Sequence, residues 1–396
     1  MPKDDILTLK VPGANLVFTR YLYIKDEVKT ALLISILNKS DDSIFWAYEL
    51  YYSGFKNELF AFIWQIYYDF FATLNPTFAV YLSTKLSNKE NLFEDRLISS
   101  IIQNLLIRSF NADMFLLRTI AELFVSEEEP ETSVSDAIET FLLNEDYRQL
   151  SSYILSNKER KLGEEIEIYK IVLNYFKLTN QQKLAKDFKH AATNAINSSI
   201  VLLANIMSLI TQNKNLIKKK NFYVRVDPEE VVQYETIEAN NNLKPYRILP
   251  LACTQKIQNN WFNLFECFRN QTHNLKDKAK YNEWTNRSAL EKHSDNWLYH
   301  AAFSPTWFAR IKTCKGYVDY INQEVRFISE DCEEDFYSKY GYDPDEQSII
   351  VKENTLKQTK SESTWQQFFA TYQKTGLVDA LNEELDALNE EPLKYV

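Results

Sequence analysis

The stretch that decides the fold class is LFAFIWQIYYDFFATL, residues 59–74. Its polar side chains Gln65, Asp69 and Thr73 recur every four residues, so they form one thin stripe on an otherwise apolar helix. Such a helix is typical of the centre of a soluble domain, where almost its whole circumference is covered. This stretch and the apolar run at 196–210 both contain polar residues and are shorter than the ~20 apolar residues of a bilayer span. We therefore expect a mainly α protein without a membrane span.

Helical signals surround this central stretch throughout residues 26–124. The DDS sequence at 41–43 offers N-caps for a helix that Gly54 ends in the manner of a C′ residue. Asn75-Pro76 separates the central helix from the next one. The run LFEDRLISSIIQNLLIRSF (92–110) places its aliphatic side chains on one face and its polar ones largely elsewhere, which indicates a half-buried helix.

The order of these patterns predicts the domain organisation. Residues 1–25 are an N-terminal extended segment, and residues 26–213 form a helical domain with an acidic linker at about 126–135. A smaller mixed α+β domain follows at 214–380, and an acidic tail at 381–396. The helical domain resembles a helical-repeat array in its paired helices, but the sequence has no repeat of fixed period. An irregular helical bundle explains the pattern almost as well.

The mixed domain is predicted from short alternating runs between turn residues. Strands are expected at 222–226 and 231–237, and a hairpin at 317–328. Helices are expected near residues 257–270, 297–312 and 331–340. Ser304-Pro305 matches an N-cap followed by an N1 proline, and GYDPDEQS (341–348) matches a capping box better than a cation site.

The composition excludes several kinds of chemistry. With only six glycines the chain has no phosphate-binding loop, and it has neither a nucleophile elbow nor an HExxH pair, so we predict a protein that is not an enzyme. The SALEKHSDNW segment (288–297) holds Ser288, Glu291, His293 and Asp295, which fit a solvated turn better than a catalytic site because adjacency in sequence is not geometry.

Metal and cofactor binding are not expected either. The one hint of a metal site is that the cysteines and most of the histidines fall between residues 253 and 332, yet without the close ligand pair that structural zinc uses. The N-terminus has no secretory h-region, so free thiols in a reducing compartment are the better interpretation. The side chains concerned are Cys253, Cys267, Cys314, Cys332, His273, His293 and His300.

Charge and aromatic content supply two candidate binding surfaces. The net charge of −10 disfavours general nucleic-acid binding, although Lys218, Lys219, Lys220 and Arg225 lie beside aromatic residues and make RNA contact a weaker alternative. Tyrosine and tryptophan are enriched at interface hot spots, but they are equally core material. The candidate partner-binding side chains are Trp46, Tyr48, Tyr51, Tyr52, Trp297, Tyr299 and Trp307.

Three stretches carry a resemblance to a known family. FWAYELYYSGF (45–55), WLYHAAFSPTWFARI (297–311) and FYSKYGYDPDEQS (336–348) resemble uncharacterised proteins of giant viruses, the nucleocytoplasmic large DNA viruses. The resemblance implies a host-cytoplasmic setting, in the viral factory or the virion. A more distant likeness, in architecture alone, is to the helical-repeat scaffolds of translation initiation.

These observations together predict a non-enzymatic scaffold or adaptor that holds viral or host proteins in a viral complex, with a role in viral gene expression. The alternatives are a minor structural protein of the virion and an RNA-binding factor. Neither the partner nor the oligomeric state can be inferred from the residues.

Overall fold

The computed structural model describes residues 17–23, 25–86, 95–123, 133–157, 160–193, 195, 197–214, 222–235, 296–340, 372 and 376–378. Within these ranges the protein is mainly α-helical with one two-stranded antiparallel sheet, as predicted from the sequence. The helices are α1 (Lys25–Leu37), α2 (Asp42–Tyr52), α3 (Lys56–Ile66), α4 (Phe78–Leu86), α5 (Asp95–Leu106), α6 (Asp113–Leu123), α7 (Val134–Leu143), α8 (Tyr147–Ser156), α9 (Leu162–Tyr175), α10 (Gln181–Thr193), α11 (Ser198–Asn213), α12 (Pro228–Glu235), α13 (Trp297–Ala301), α14 (Pro305–Thr313) and α15 (Glu330–Tyr340).

The central helix is less regular than the sequence indicates. After α3 the chain continues as a π-helical turn, Tyr67–Phe71, before the break at Asn75-Pro76. Asp69, a member of the predicted polar stripe, lies in this turn. Its carboxylate is buried and accepts two hydrogen bonds from Arg118 of α6, at 2.9 and 2.8 Å. A buried charge of this kind must be paired, and the wider turn holds Asp69 against its partner.

Helices α1 to α11 form an irregular bundle around one large core. α2 packs on α5, α6 packs on α8, and α11 touches α6, α8 and α9. Contacts that skip along the chain in this way distinguish a bundle from a solenoid, in which each unit touches only its sequence neighbours. Of the two architectures left open by the sequence, the described helices therefore follow the irregular bundle.

The second core lies under the C-terminal hairpin. Strands β1 (Gly316–Asp319) and β2 (Glu324–Phe327) pair in register, with Val318 opposite Val325, and they confirm the hairpin predicted at 317–328. We call residues 296–340 the hairpin module. Its core comprises Phe18, Trp297, Leu298, Trp307, Ile311 and Phe336. The N-terminal segment thus contributes a core side chain to the C-terminal part of the chain.

Two other sequence predictions for the C-terminal half can be checked. The helix expected at 331–340 is α15, whereas the one expected at 297–312 is two helices, because Ser304 caps α14 and Pro305 occupies its first turn. The strands expected at 222–226 and 231–237 are wrong. Residues 222–227 have no strand partner in the described chain, and α12 occupies 228–235. The predictions at 257–270 and 341–348 lie outside the described residues.

The helix α12 belongs to the large core rather than to the hairpin module. It packs on α2 and α5, and the Asp227 carboxylate accepts a hydrogen bond from the Glu229 N–H at 3.0 Å. Asp227 followed by Pro228 is a helix start signal, and here it prevails over the β-branched residues Val231 and Val232. Far along the chain, the N–H groups of Leu377 and Val378 donate to the Asp113 carboxylate at the start of α6.

Candidate functional site

The aromatic side chains proposed from the sequence as partner-binding are, with one exception, core residues. Six of them are buried: Trp46, Tyr48, Tyr51, Trp297, Tyr299 and Trp307. Tyr52 is half-buried, and the Arg20 guanidinium lies over its ring at 4.7 Å. The structure thus favours the core interpretation of these aromatics over an exposed interface, because a partner could reach the six rings only if the protein opened.

Part of this aromatic set fixes the hairpin module on the bundle. The Trp307 indole N–H donates to the Thr19 carbonyl at 3.0 Å, and the Thr306 hydroxyl donates to the Tyr52 carbonyl at 2.6 Å. Gly54 follows α2 with a φ of +91°, and a Cβ at this position would lie 2.5 Å from the Cβ of Pro305. Only glycine satisfies both the positive φ and this close approach. The junction is therefore a tight, structural contact.

A buried ion pair lies beside the same junction. Arg20 donates through Nε to the Glu49 carboxylate at 3.0 Å, and both side chains are buried. Glu49 also accepts the Tyr21 N–H at 3.1 Å, and the Ser53 hydroxyl accepts the Arg20 N–H at 2.7 Å. These bonds tie the N-terminal segment to the end of α2. The buried charges are paired and hydrogen-bonded to each other, as burial requires.

The predicted nucleic-acid site is described only in part. Lys218, Lys219 and Lys220 lie outside the described residues, and Arg225 is exposed. Of the seven candidate cysteines and histidines between residues 253 and 332, the structure describes Cys314 and Cys332, both free and half-buried, together with the buried His300. Burial raises the pKa of the Cys314 thiol above its ordinary value. No group of metal-ligand side chains occurs within the described ranges.

The surface with the strongest binding character is the turn of the hairpin, residues 320–323, which we call the hairpin tip. The Asp319 carboxylate accepts hydrogen bonds from the N–H groups of Ile321 and Asn322, at 3.1 and 3.0 Å, and from the Asn322 side chain at 2.8 Å. These bonds to the charged form hold the pKa of the Asp319 carboxyl below its ordinary value, the Asn322 N–H contributing most. The Asp319 carboxylate thus holds the turn through Ile321 and Asn322.

The other side of the tip is fixed by residues from α13 and its surroundings. The Asn296 side-chain amide donates to the carbonyl of Gln323, which has a φ of +56°. The ring of Tyr320 packs against Phe303 with centroids 6.4 Å apart, and Phe303 packs in turn on Tyr299 at 5.1 Å. An ordered network therefore supports the tip at both ends.

The tip presents an apolar side chain that the fold does not use. Ile321 is 93% exposed, more than any other large hydrophobic residue of the described chain. Tyr317 on the outer face of β1 and Ile328 just after β2 are also exposed. Single exposed apolar residues are ordinary on protein surfaces. A nearly fully exposed isoleucine at the apex of a rigid hairpin, with further apolar side chains along the same hairpin, has the form of an anchor for a pocket.

The hairpin module carries charges of both signs, with exposed lysines at Lys312, Lys315 and Lys339. Helix α15 follows β2 directly and carries exposed carboxylates at Glu330, Asp331, Glu333, Glu334 and Asp335. The guanidinium of Arg326 on the outer hairpin face is bound by Glu324 and lies 3.6 Å from the Asp319 carboxylate. Arg326 is thus engaged within the hairpin. The acidic start of α15 follows the end of β2 that lies opposite the tip, so the module carries an apolar tip at one end of the hairpin and an acidic helix after the other.

Sequence reasoning missed the tip as a site. The sequence predicts the hairpin, but the partner-binding candidates selected from it were tryptophan and tyrosine residues, because those residue types dominate interface hot spots. Two signals could have pointed to Ile321: an isoleucine in a turn between alternating strands, and an aspartate two residues before it that can accept backbone N–H bonds. The exposure of Ile321 itself depends on the fold and cannot be read from the sequence.

Comparison of the chain with protein-family models, curated proteins and solved structures finds no match. In the part of the chain that the structure describes, no helix combines the length and the apolar character that a bilayer crossing needs. Arguments about function therefore depend on the geometry given above.

Proposed function

We propose that this chain is a non-enzymatic adaptor that binds a partner protein through its hairpin tip. One observation carries the proposal: Ile321 is 93% exposed on a turn that Asp319 and Asn296 hold by hydrogen bonds on both sides. The tip is ordered before any partner arrives. Binding would then cost little conformational entropy, which is the principal gain from preorganisation.

The size of the expected contribution follows from burial. Fully covering an isoleucine side chain contributes about 2–3 kcal/mol at ordinary transfer values. Tyr317 and Ile328 are further exposed apolar side chains at the other end of the hairpin, so Ile321 is the anchor at the tip itself. A surface of this kind supports a specific complex when the partner supplies a complementary pocket.

The partner is identified by its chemistry as a protein with an apolar pocket for Ile321 and with basic side chains that face the start of α15. The five exposed carboxylates at the start of α15 favour a positively charged surface and disfavour an acidic one. They would also accelerate encounter with such a partner at low ionic strength.

The wider setting is proposed from the resemblance alone. A giant-virus complex in the host cytoplasm, in which the adaptor holds viral or host proteins together during gene expression, agrees with a binding module and with a chain that we propose has no catalytic step. The virion-component alternative makes a different prediction. Quantitative mass spectrometry of purified particles would find near-stoichiometric amounts of a structural component and only traces of an adaptor.

Site-specific photocrosslinking tests the proposal. A photoreactive amino acid placed at Ile321 should crosslink to one protein in the cells that express this chain, and the same group at Leu143, which is 74% exposed at the end of α7, serves as the matched control. We expect a product specific to position 321, formed with a protein that binds the purified chain. The same products from both positions, or none from either, would count against the hairpin tip as the binding site.

A further inference from the structure

A second binding surface lies on the helical bundle, where α4 and α5 form a groove. Its walls are Phe78 and Tyr81 of α4, Asn104 of α5 and Arg108 just beyond α5. Residues 222–226, FYVRV, lie in this groove as an extended segment. We call residues 222–226 the internal segment. It touches the groove through one backbone position and one aromatic ring.

The backbone contact is a paired one. Asn104 donates to the Val224 carbonyl at 3.0 Å and accepts the Val224 N–H at 3.0 Å. One carboxamide thus satisfies both backbone groups of one residue, a mode that any extended chain can use whatever its side chain. Asn104 is buried, and the Ser100 carbonyl and the Arg108 guanidinium fix its orientation. Asn104 therefore offers one further N–H and one further oxygen lone pair to a chain in the groove.

The ring contact forms a slot for an aromatic side chain. Tyr223 stacks on Tyr81 with centroids 4.7 Å apart, and the Arg108 guanidinium lies 4.8 Å from the Tyr223 centroid and 4.2 Å from that of Phe78. Tyr223 also hydrogen-bonds the guanidinium. A cation between two rings attracts both of them through their electron-rich faces.

The Arg108 guanidinium is an unusual group for such a buried position. The residue is only 2% exposed and pairs with no carboxylate in the described chain. Burial lowers the pKa of the guanidinium, but an arginine side chain stays protonated at neutral pH in proteins. Buried charges are normally paired. Arg108 instead depends on the rings and on Asn104, which makes it part of the slot.

The groove and the internal segment differ in how far their side chains are buried. Phe78, Asn104 and Arg108 are buried, whereas Phe222, Tyr223 and Arg225 of the internal segment are exposed. The segment therefore depends on two backbone hydrogen bonds and one stacked ring, together with Val226 at its end, which packs partly on the core. The groove is thus the more buried side of this contact when the segment is in place.

We propose that this groove is a peptide-binding site whose ligands are extended segments with an aromatic residue directly before the residue that Asn104 binds. The internal segment occupies the site in cis and shows the bound geometry. A partner segment of the same chemistry competes with it. The residues of this site belong to α4, to α5 and to the residues just after α5, and none belongs to the hairpin tip. The proposal can therefore be tested separately from the proposed function.

The test uses the full-length chain and a fluorescently labelled peptide, FYVRVDPEE, which has the sequence of residues 222–230. In the variant Val224→Pro the internal segment loses the N–H that Asn104 accepts, while every groove residue is unchanged. We expect this variant to bind the peptide at least about fivefold more tightly than the wild type, the effect of one neutral hydrogen bond. Circular dichroism and the unfolding midpoint report whether the variant is folded.

Two control peptides leave the protein unchanged. Replacing the tyrosine by alanine (FAVRVDPEE) removes the stacked ring, and replacing the first valine by proline (FYPRVDPEE) removes the N–H. Each should bind the Val224→Pro variant at least about fivefold more weakly than the parent peptide. Equal binding of all three peptides, or no gain over the wild type in a folded variant, overturns the proposal.

Hydrogen exchange of the wild type decides the matter if the variant does not fold. Excess unlabelled FYVRVDPEE should displace the internal segment, so the Val224 amide of the chain should exchange several-fold faster. FYPRVDPEE should leave its rate unchanged. Exchange at Val224 that ignores both peptides overturns the proposal without any variant.

Discussion

The contact between Gly54 and Pro305 gives the sharpest test of how the hairpin module is held on the bundle. Gly54 combines a φ of +91° with a position where an added Cβ would lie 2.5 Å from Pro305 Cβ and 2.9 Å from its Cγ. In Gly54→Ala the positive φ costs about 1–2 kcal/mol. Overpacking against a proline ring, which cannot rotate away, adds about 1–3 kcal/mol. We therefore expect a loss of about 2–5 kcal/mol.

The matched control is Gly163→Ala. Gly163 lies in the first turn of α9 and has no atom within 4 Å of an added Cβ, so this change should be neutral or stabilise by up to about 1 kcal/mol. The assay is urea unfolding together with hydrogen exchange of peptides from residues 297–313, because exchange reports opening of the module separately from the bundle. Faster exchange should be confined to Gly54→Ala. If the two variants differ by less than about 1 kcal/mol, the described packing at this junction is wrong.

Three further predictions concern single interactions. Asp69→Ala should destabilise the bundle by about 3–5 kcal/mol because it leaves the buried Arg118 cation without the Asp69 carboxylate. In thermal unfolding, the double variant Asp69→Ala/Arg118→Met should lose less stability than Asp69→Ala alone. Additive losses of the two changes would contradict the pairing. Trp307→Phe removes the donor to the Thr19 carbonyl and should cost about 1–3 kcal/mol in urea unfolding, whereas an unchanged midpoint would show that the bond is unimportant. The Asp319 carboxyl should titrate below the ordinary value of about 3.9. Because the pKa of Asp319 is lowered in the folded protein, the ionised carboxylate stabilises the tip fully at pH values above the ordinary pKa. This stabilisation is lost as the pH falls through the pKa of the folded protein. An NMR titration of Asp319 with a midpoint at or above about 3.9 would refute the prediction.

The elements that could be predicted from the sequence are those whose signals are local. The apolar face of 92–110 became α5, the alternation at 317–328 became the hairpin, and Ser304-Pro305 became a helix start. Each of these depends on a periodicity or a cap within a few neighbouring residues. Such signals act in the same way whatever the distant parts of the chain do.

The features that could not be predicted depend on contacts between distant residues. The alternation in FYVRV indicates a strand, but no neighbouring strand in the described chain pairs with it, and its backbone binds Asn104 instead. In the π-helical turn, Asp69 pairs with Arg118, which lies 49 positions further along the chain. Likewise six of the seven aromatic candidates for partner binding are core residues, since residue type alone does not determine burial.

The central claim, that Ile321 anchors a partner protein, is tested most directly by affinity. The protein that crosslinks at position 321 would be purified and titrated with the wild-type chain, with Ile321→Ser and with the exposed control Leu143→Ser. Losing about 2 kcal/mol of apolar burial should weaken the complex about 30-fold for Ile321→Ser, with a Kd within about twofold of wild type for Leu143→Ser. Equal affinities of the three chains, with all three folded, would contradict the claim.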